Sequence, residues 1–182
     1  CATPTFPASF LPTLPNGIAS GDATQTSAVL WARSTLPGNL SFGYSTNAGF
    51  EDQSGLISTN VLNASVPVKV EITGLAPGTR YYYQVIDAGS NSLISTFRTP
   101  AALGDHSGLR FGVSGDWRGE LTPFTSLANA AGQDLDFFVA LGDTVYADFP
   151  SPAVPSEQAK TLAEFRAKHS EVYSERLGLN SL

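Results

Sequence analysis

Between Asn16 and Phe97 the sequence never sustains a helical period. Seven short runs rich in Val, Ile, Thr, Tyr and Phe take its place: IASGD, SAVLWARS, LSFGYS, LISTNVL, VPVKVEIT, YYYQVID and LISTFRT. Gly, Asn and Pro separate them. Branched and aromatic side chains suit a pleated surface, and the punctuating residues supply turn geometry. Seven strands packed into this length predict a β-sandwich over residues 16–99. Residues 1–15, CATPTFPASFLPTLP, carry four prolines and read as an extended leader.

The stretch GLAPGTRYYYQV (74–85) sharpens that reading. Pro77-Gly78 forms a turn, after which Tyr81, Tyr83 and Val85 fall on one face of a strand. Tyr82, Gln84 and Ile86 fall on the other. The Leu-x-Pro-x-Thr-x-Tyr entry resembles the tyrosine corner of fibronectin type III and related sandwiches, with Tyr81 as the corner residue. Three adjacent tyrosines are also the makings of a carbohydrate-stacking surface, but alternation already gives each ring a packing role.

After Thr99-Pro100 a polar connector (100–108) leads into a different pattern. LRFGVS (109–114) predicts a strand, Thr122-Pro123 a helix start, and Phe124, Leu127, Ala128 and Ala131 its apolar stripe, ended by Gly132. DFFVAL (136–141) predicts a second strand, parallel to the first, and Phe137–Leu141 reads as buried on both faces. Ser156 is the expected cap of a second helix, with Leu162, Phe165, His169, Val172 and Tyr173 on one side and Gly178 at its end. Residues 109–182 thus predict a β-α-β-α unit following the sandwich.

Both strands of that unit run into an acid. SGDWRGE places Asp116 after the first, and LGDTVYAD places Asp143 after the second, with Tyr146 three residues on. Ligand sites in parallel α/β sheets form beyond the carboxyl ends of the strands. Two carboxylates meeting at one rim repel each other unless a proton or a cation lies between them. Each residue has a plainer use as well: Asp143 as a turn cap, Asp116 as an acid near a helix, Tyr146 as a packed ring, Arg118 as a surface charge.

SGDWRGE followed by DLDFFVALGDTVYAD resembles the opening motifs of the PhoD-like alkaline phosphatases, which are calcineurin-type metallophosphoesterases. GIASGDATQTSAVLWAR (17–33) and GLAPGTRYYYQV resemble their fibronectin-like N-terminal domain, and FRAKHSEVY (165–173) the helix after their second motif. The resemblance implies a two-metal phosphoric-ester hydrolase whose substrate is a phosphate ester. It implies that Asp143 is shared by two metal ions, that Asp116 holds one of them and that Tyr146 is a phenolate ligand. Arg118 would add positive charge for the phosphate. Iron and calcium are the ions the family suggests. The family's cysteine ligand is replaced here by the Ser114-Gly115-Asp116 run, and Asp116-Trp117-Arg118 stands where many relatives have Asp-x-His. The family's later Asn, Asp and His ligands have no counterpart, and the chain's two histidines, His106 and His169, read as a connector residue and a packed one. The chain therefore reads as an N-terminal portion of such an enzyme, inactive alone, with its open sheet to be covered by a C-terminal part or another subunit.

Charge and cysteine usage bound the rest. A formal net charge of −6 with no Lys/Arg cluster argues against a nucleic-acid surface. The only cysteine is residue 1, which excludes an internal disulfide or a cysteine metal site. Cys1 at the start of the chain fits the mature end of a bacterial lipoprotein, hence lipidation, a lipid tether and an extracytoplasmic location. The rival reading is a non-catalytic surface or assembly protein that keeps a vestigial phosphoesterase remnant. A sandwich used as a carbohydrate-binding module leaves Asp116 and Asp143 without a purpose.

Overall fold

A computed structural model describes residues 13–88, 91–92, 94–118, 124, 127, 129–130 and 132–173. Cys1, the Thr122-Pro123 helix start and Gly178 lie outside the described residues. Seven strands come first: β1 (Ile18–Gly21), β2 (Ser27–Ala32), β3 (Gly38–Ser45), β4 (Gln53–Val61), β5 (Val68–Thr73), β6 (Arg80–Ile86) and β7 (Ser95–Arg98). They form two antiparallel sheets, ordered β1-β2-β5 and β4-β3-β6-β7. Strict alternation drives this. In β2, Ala28, Leu30 and Ala32 are buried while the residues between them are half-buried, and β6 buries Tyr81, Tyr83 and Val85. The inward faces of both sheets meet in one cluster, where Leu30 and Ile72 of one sheet join Leu40, Phe42, Tyr83 and Val85 of the other. Leu14, from the leader, is buried in the same cluster. Thr13 ties that segment to the sheet edge by accepting from the Thr35 backbone N–H at 2.8 Å.

The tyrosine entry is built as its sequence suggests. The Ala76 backbone N–H donates to the Tyr81 hydroxyl at 2.9 Å, closing the loop before β6 onto the strand it feeds. Tyr81 stacks on Phe97 of β7 with ring centroids 5.5 Å apart.

Two further strands, β8 (Phe111–Ser114) and β9 (Phe137–Ala140), pair in parallel with Phe111 opposite Phe137 and Ser114 opposite Ala140. Leu127, Asn129 and Ala130, between them, are helical. A parallel pair needs a crossover of this kind, because a tight turn cannot reverse the chain twice. The last described element is helix α1 (Leu162–Val172).

Three expectations change here. The run Phe137–Leu141 is not buried on both faces: Phe137 is 46% and Leu141 69% exposed, because β9 has one strand neighbour among the described elements and little covers its sides. The second helix starts at Thr161, not Ser156. The Thr161 side chain accepts from the Glu164 backbone N–H while the Glu164 carboxylate accepts from the Thr161 N–H, a reciprocal capping box that Ser156 cannot form. The inward face of α1 also differs from the apolar stripe. Lys168, Glu171 and Val172 are buried, whereas Leu162, Phe165 and His169 are exposed.

Contacts join the two units at opposite ends. Arg80 of β6 pairs with Asp134, and Arg98 of β7 lies 3.7 Å from Asp136, just before β9. On the other side the buried Asn16 accepts from Arg33 Nε at 2.6 Å and donates to the Ser170 carbonyl at 3.0 Å. Arg33 also reaches the Ser170 hydroxyl, so an amide and a cation face the carboxyl end of α1, where the helix dipole favours positive charge.

Candidate metal centre

Asp116 and Asp143 both follow a strand end, and both take left-handed backbone angles, with φ of 58° and 48°. Asp tolerates that region better than most residues, at a cost that surrounding contacts must hold in place. Those contacts are visible. The Trp117 backbone N–H donates to the Asp143 carbonyl at 3.0 Å, which joins the two strand-end loops directly. Gly115 eases the same approach, because a Cβ there would sit 3.1 Å from the Gly142 carbonyl oxygen, closer than most such contacts. Trp117 itself is buried, its indole N–H donating to Ser114 Oγ at 3.0 Å, and it packs with Leu127 and Val172 into the small core beneath the rim.

These loops bring the carboxylates together around one phenol. The Tyr146 hydroxyl lies 2.7 Å from Asp116 Oδ1 and 3.2 Å from Asp143 Oδ2. One proton therefore serves two carboxylates. The hydrogen bond to Asp116 is the largest influence raising the Tyr146 pKa above its ordinary value; partial desolvation and the two negative charges add to it. The side chains of Asp116 and Asp143 remain open to solvent.

Three oxygens at one solvent-facing point make a hard, anionic donor set, which suits oxygen-seeking cations. A cation there would replace the shared proton as the charge between the carboxylates and draw Tyr146 toward the phenolate form. The residues present thus fit part of a metal site. No group of three or more His, Cys, Asp and Glu capable of holding a metal occurs among the described residues; at this point only two carboxylates and one phenol could serve as ligands. His106 is exposed in the connector and His169 is exposed on α1.

Arg118 is brought to the same rim. Its guanidinium carbon is 4.4 Å from the Phe149 ring centroid and 5.7 Å from that of Tyr146. Asp116, Asp143 and Tyr146, singled out at the strand ends, and Arg118, singled out by the resemblance, therefore converge. Trp117, Phe149 and Lys168 were not singled out. Trp117 carried a signal, since a tryptophan between two charged residues needs both a pocket and a partner for its N–H. The other two carried none.

A wide groove of about 1140 Å³ lies away from these residues. It runs between the sandwich and the start of β9, bordered by Asp22, Arg98, His106, Asp136 and Phe137. It sits at the amino end of β9, whereas α/β sites gather at carboxyl ends, and its acids do not converge.

Two packed antiparallel sheets, followed by strands with acids at their carboxyl ends, define a protein that sets a β domain before a parallel strand pair with two carboxylates at its rim. The chain belongs to the PhoD-like phosphatase N-terminal domain family, whose model matches residues 2–101. A solved structure described as PhoD superposes with a TM-score of 0.82 at 22% identity, covering 98% of this chain and 38% of that one. At that identity the likeness is one of fold, and the chain spans well under half the length of that protein. The sensor domain of the anti-sigma factor RsgI4 of Pseudobacteroides cellulosolvens matches 47% of this chain and 74% of its own, at 23% identity and a TM-score of 0.37. The FN5 domain of Drosophila Lar matches 50% of this chain and all of its own, at 18% identity and a TM-score of 0.36. Both superpositions are too loose to define a common fold. No curated protein matches the chain.

Proposed function

We propose that this chain is the N-terminal portion of an extracytoplasmic PhoD-like phosphoric-ester hydrolase. Its fibronectin type III-like sandwich would precede the opening of a metallophosphoesterase domain. The observation that carries this is the meeting of Asp116, Asp143 and the Tyr146 hydroxyl at the carboxyl ends of neighbouring parallel strands. The family match supports it, as does the Ala76–Tyr81 hydrogen bond for the sandwich.

In this reading Asp143 and Asp116 would hold the metal ions, with the Tyr146 oxygen as a further ligand. Bound metal ions supply Lewis acidity toward the phosphoryl oxygens and a nucleophile at neutral pH. Arg118, on the same rim, neutralises the non-bridging oxygens of the ester through charge-assisted N–H donors. Trp117 closes the underside of the site against water. Further ligands and the cover for β8 and β9 come from the rest of the protein, and Cys1 carries a lipid tether. No helix among the described residues is long and apolar enough to cross a membrane.

The test uses the full-length protein with p-nitrophenyl phosphate and added calcium, iron, manganese or zinc. Metal-dependent hydrolysis that vanishes in Asp143→Asn supports the reading; hydrolysis unaffected by Asp143→Asn ends it. Phe111, Val113, Phe137 and Leu141 are all exposed, and they favour a second reading. In that case the strand pair is an assembly surface and the acids are a remnant. An intact mass of the native protein equal to the 19.1 kDa of this chain, without metal binding, would favour that one.

A further inference from the structure

The rim described above leaves three features of the chain without a task. Phe149 stays 44% exposed, with a guanidinium over its ring. Lys168 is buried on α1, and no carboxylate lies within ion-pair distance of it among the described residues. Glu171 is buried on the same face, one turn further on. Burying an ammonium or a carboxylate is costly unless its hydrogen bonds are satisfied, so what these groups bind tells what they are for.

Both bind one loop. Lys168 Nζ donates to the Phe149 carbonyl at 2.5 Å and to Ser151 Oγ at 3.2 Å. Glu171 Oε1 accepts from the Ala153 backbone N–H at 3.2 Å. The loop closes on itself through mutual backbone hydrogen bonds between Ser151 and Val154, at 2.9 and 3.0 Å. Two side chains a helical turn apart thus grip the turn that follows Tyr146, and the tighter grip falls on the residue whose ring lies under Arg118. A hydrophobic residue at 168 would fill the space but leave the Phe149 carbonyl without this donor.

We propose that Phe149 is a positioning residue, the platform that sets the direction of the Arg118 guanidinium, and that Lys168 fixes the backbone of that platform. An arginine on an open rim has many rotamers. A ring face against one side of the planar cation favours those that lay it flat, by about two- to fivefold at an exposed site. The N–H edge then lies in a defined plane, as bidentate recognition of phosphoryl oxygens needs. The catalytic part of this inference rests on the reading of Arg118 as the phosphate-binding cation.

The experiment has two arms. In the full-length, metal-loaded protein, KM and kcat for p-nitrophenyl phosphate are measured for Phe149→Leu, Phe149→Tyr, Lys168→Met and Arg118→Ala. Phe149→Leu should raise KM about two- to fivefold with bound metal unchanged, and Lys168→Met should do the same. Phe149→Tyr, which keeps a ring, should stay within about twofold of the parent. Phe149→Leu should add nothing in an Arg118→Ala background. Equal effects in both backgrounds, or none in either, overturn the proposal. The second arm does not depend on hydrolysis. In protein labelled with 15N-arginine, the Arg118 Nε–H proton should be displaced upfield by the ring, and Phe149→Leu should abolish the displacement. A resonance that Phe149→Leu leaves unmoved overturns the platform whatever the enzyme does. A protein that hydrolyses no phosphate ester but shows the displacement keeps the platform and loses only the function assigned to Arg118.

Discussion

The sandwich and the β8–β9 pair are both built from apolar strand residues, yet they stand on different footings. In the sandwich Phe42 and Val85 are wholly buried, because each sheet covers the other. In the pair Phe111 and Phe137 stack on each other at 5.2 Å and still face solvent. The first region supplies its own partner surface; among the described residues the second does not. Its buried cluster is Trp117, Leu127 and Val172, gathered under the acidic rim rather than along the strands. The contrast teaches that this part of the chain is organised around its strand ends before its sheet faces are covered.

Four experiments would break or sharpen that contrast. The largest expected effect is on function. Asp143→Asn keeps a residue that accepts the left-handed backbone, so the melting temperature should hardly move. On the proposed reading, metal-dependent hydrolysis by the full-length protein should fall at least about a thousandfold, since an amide cannot supply the anionic ligand. Tyr146→Phe should weaken metal binding, read by titration calorimetry, with a smaller loss of rate. A large loss of stability in Asp143→Asn would mean that the carboxylate holds the fold.

The next test concerns the two cores. Phe42→Ala should cost about 3–5 kcal/mol in urea unfolding. Phe137→Ala should cost about 1 kcal/mol or less, because much of its ring is in water already. Comparable losses would show that the strand pair is a self-supporting core, and the contrast would fail.

Asn16→Ala tests how the regions are joined. It removes an acceptor from Arg33 and a donor to the end of α1, both partly buried. A loss of about 1–3 kcal/mol is expected. Limited proteolysis of the variant should also cut sooner in 102–110, where every residue is exposed. First cleavage within 66–86 would count against a sandwich that folds as a unit.

The smallest effect is at the helix start. Thr161→Ala should destabilise by about 1 kcal/mol through loss of the cap. The Glu164 carboxyl is held below its ordinary pKa, chiefly by the backbone N–H groups of Lys160 and Thr161 and then by the Thr161 hydroxyl. A lowered folded pKa means its contribution is complete above the unfolded carboxylate's value and fades as pH falls through the folded one. Parent and Glu164→Gln melting curves should therefore converge in acid. A constant gap from pH 7 down to pH 2 would remove Glu164 from the cap.

Local chemistry alone determined a good deal of this molecule. Alternation in SAVLWA and RYYYQV set which side chains of β2 and β6 turn inward, because a strand's period is two whatever lies opposite. Asp116 and Asp143, each preceded by a glycine just past a strand end, marked the rim, because chain direction dictates where a parallel strand ends. Other features depended on what packs against what. Leu162 and Phe165 look like a buried stripe and lie in water, while Lys168 and Glu171 look like a solvated face and are buried. Periodicity reports which residues share a side of a helix. The Phe149 carbonyl and the Ala153 N–H, which come to α1 from another loop, decide which side goes in. The sharing of one Tyr146 proton between two carboxylates is of the same kind: residues 27 positions apart in sequence meet only when β8 and β9 pair in register.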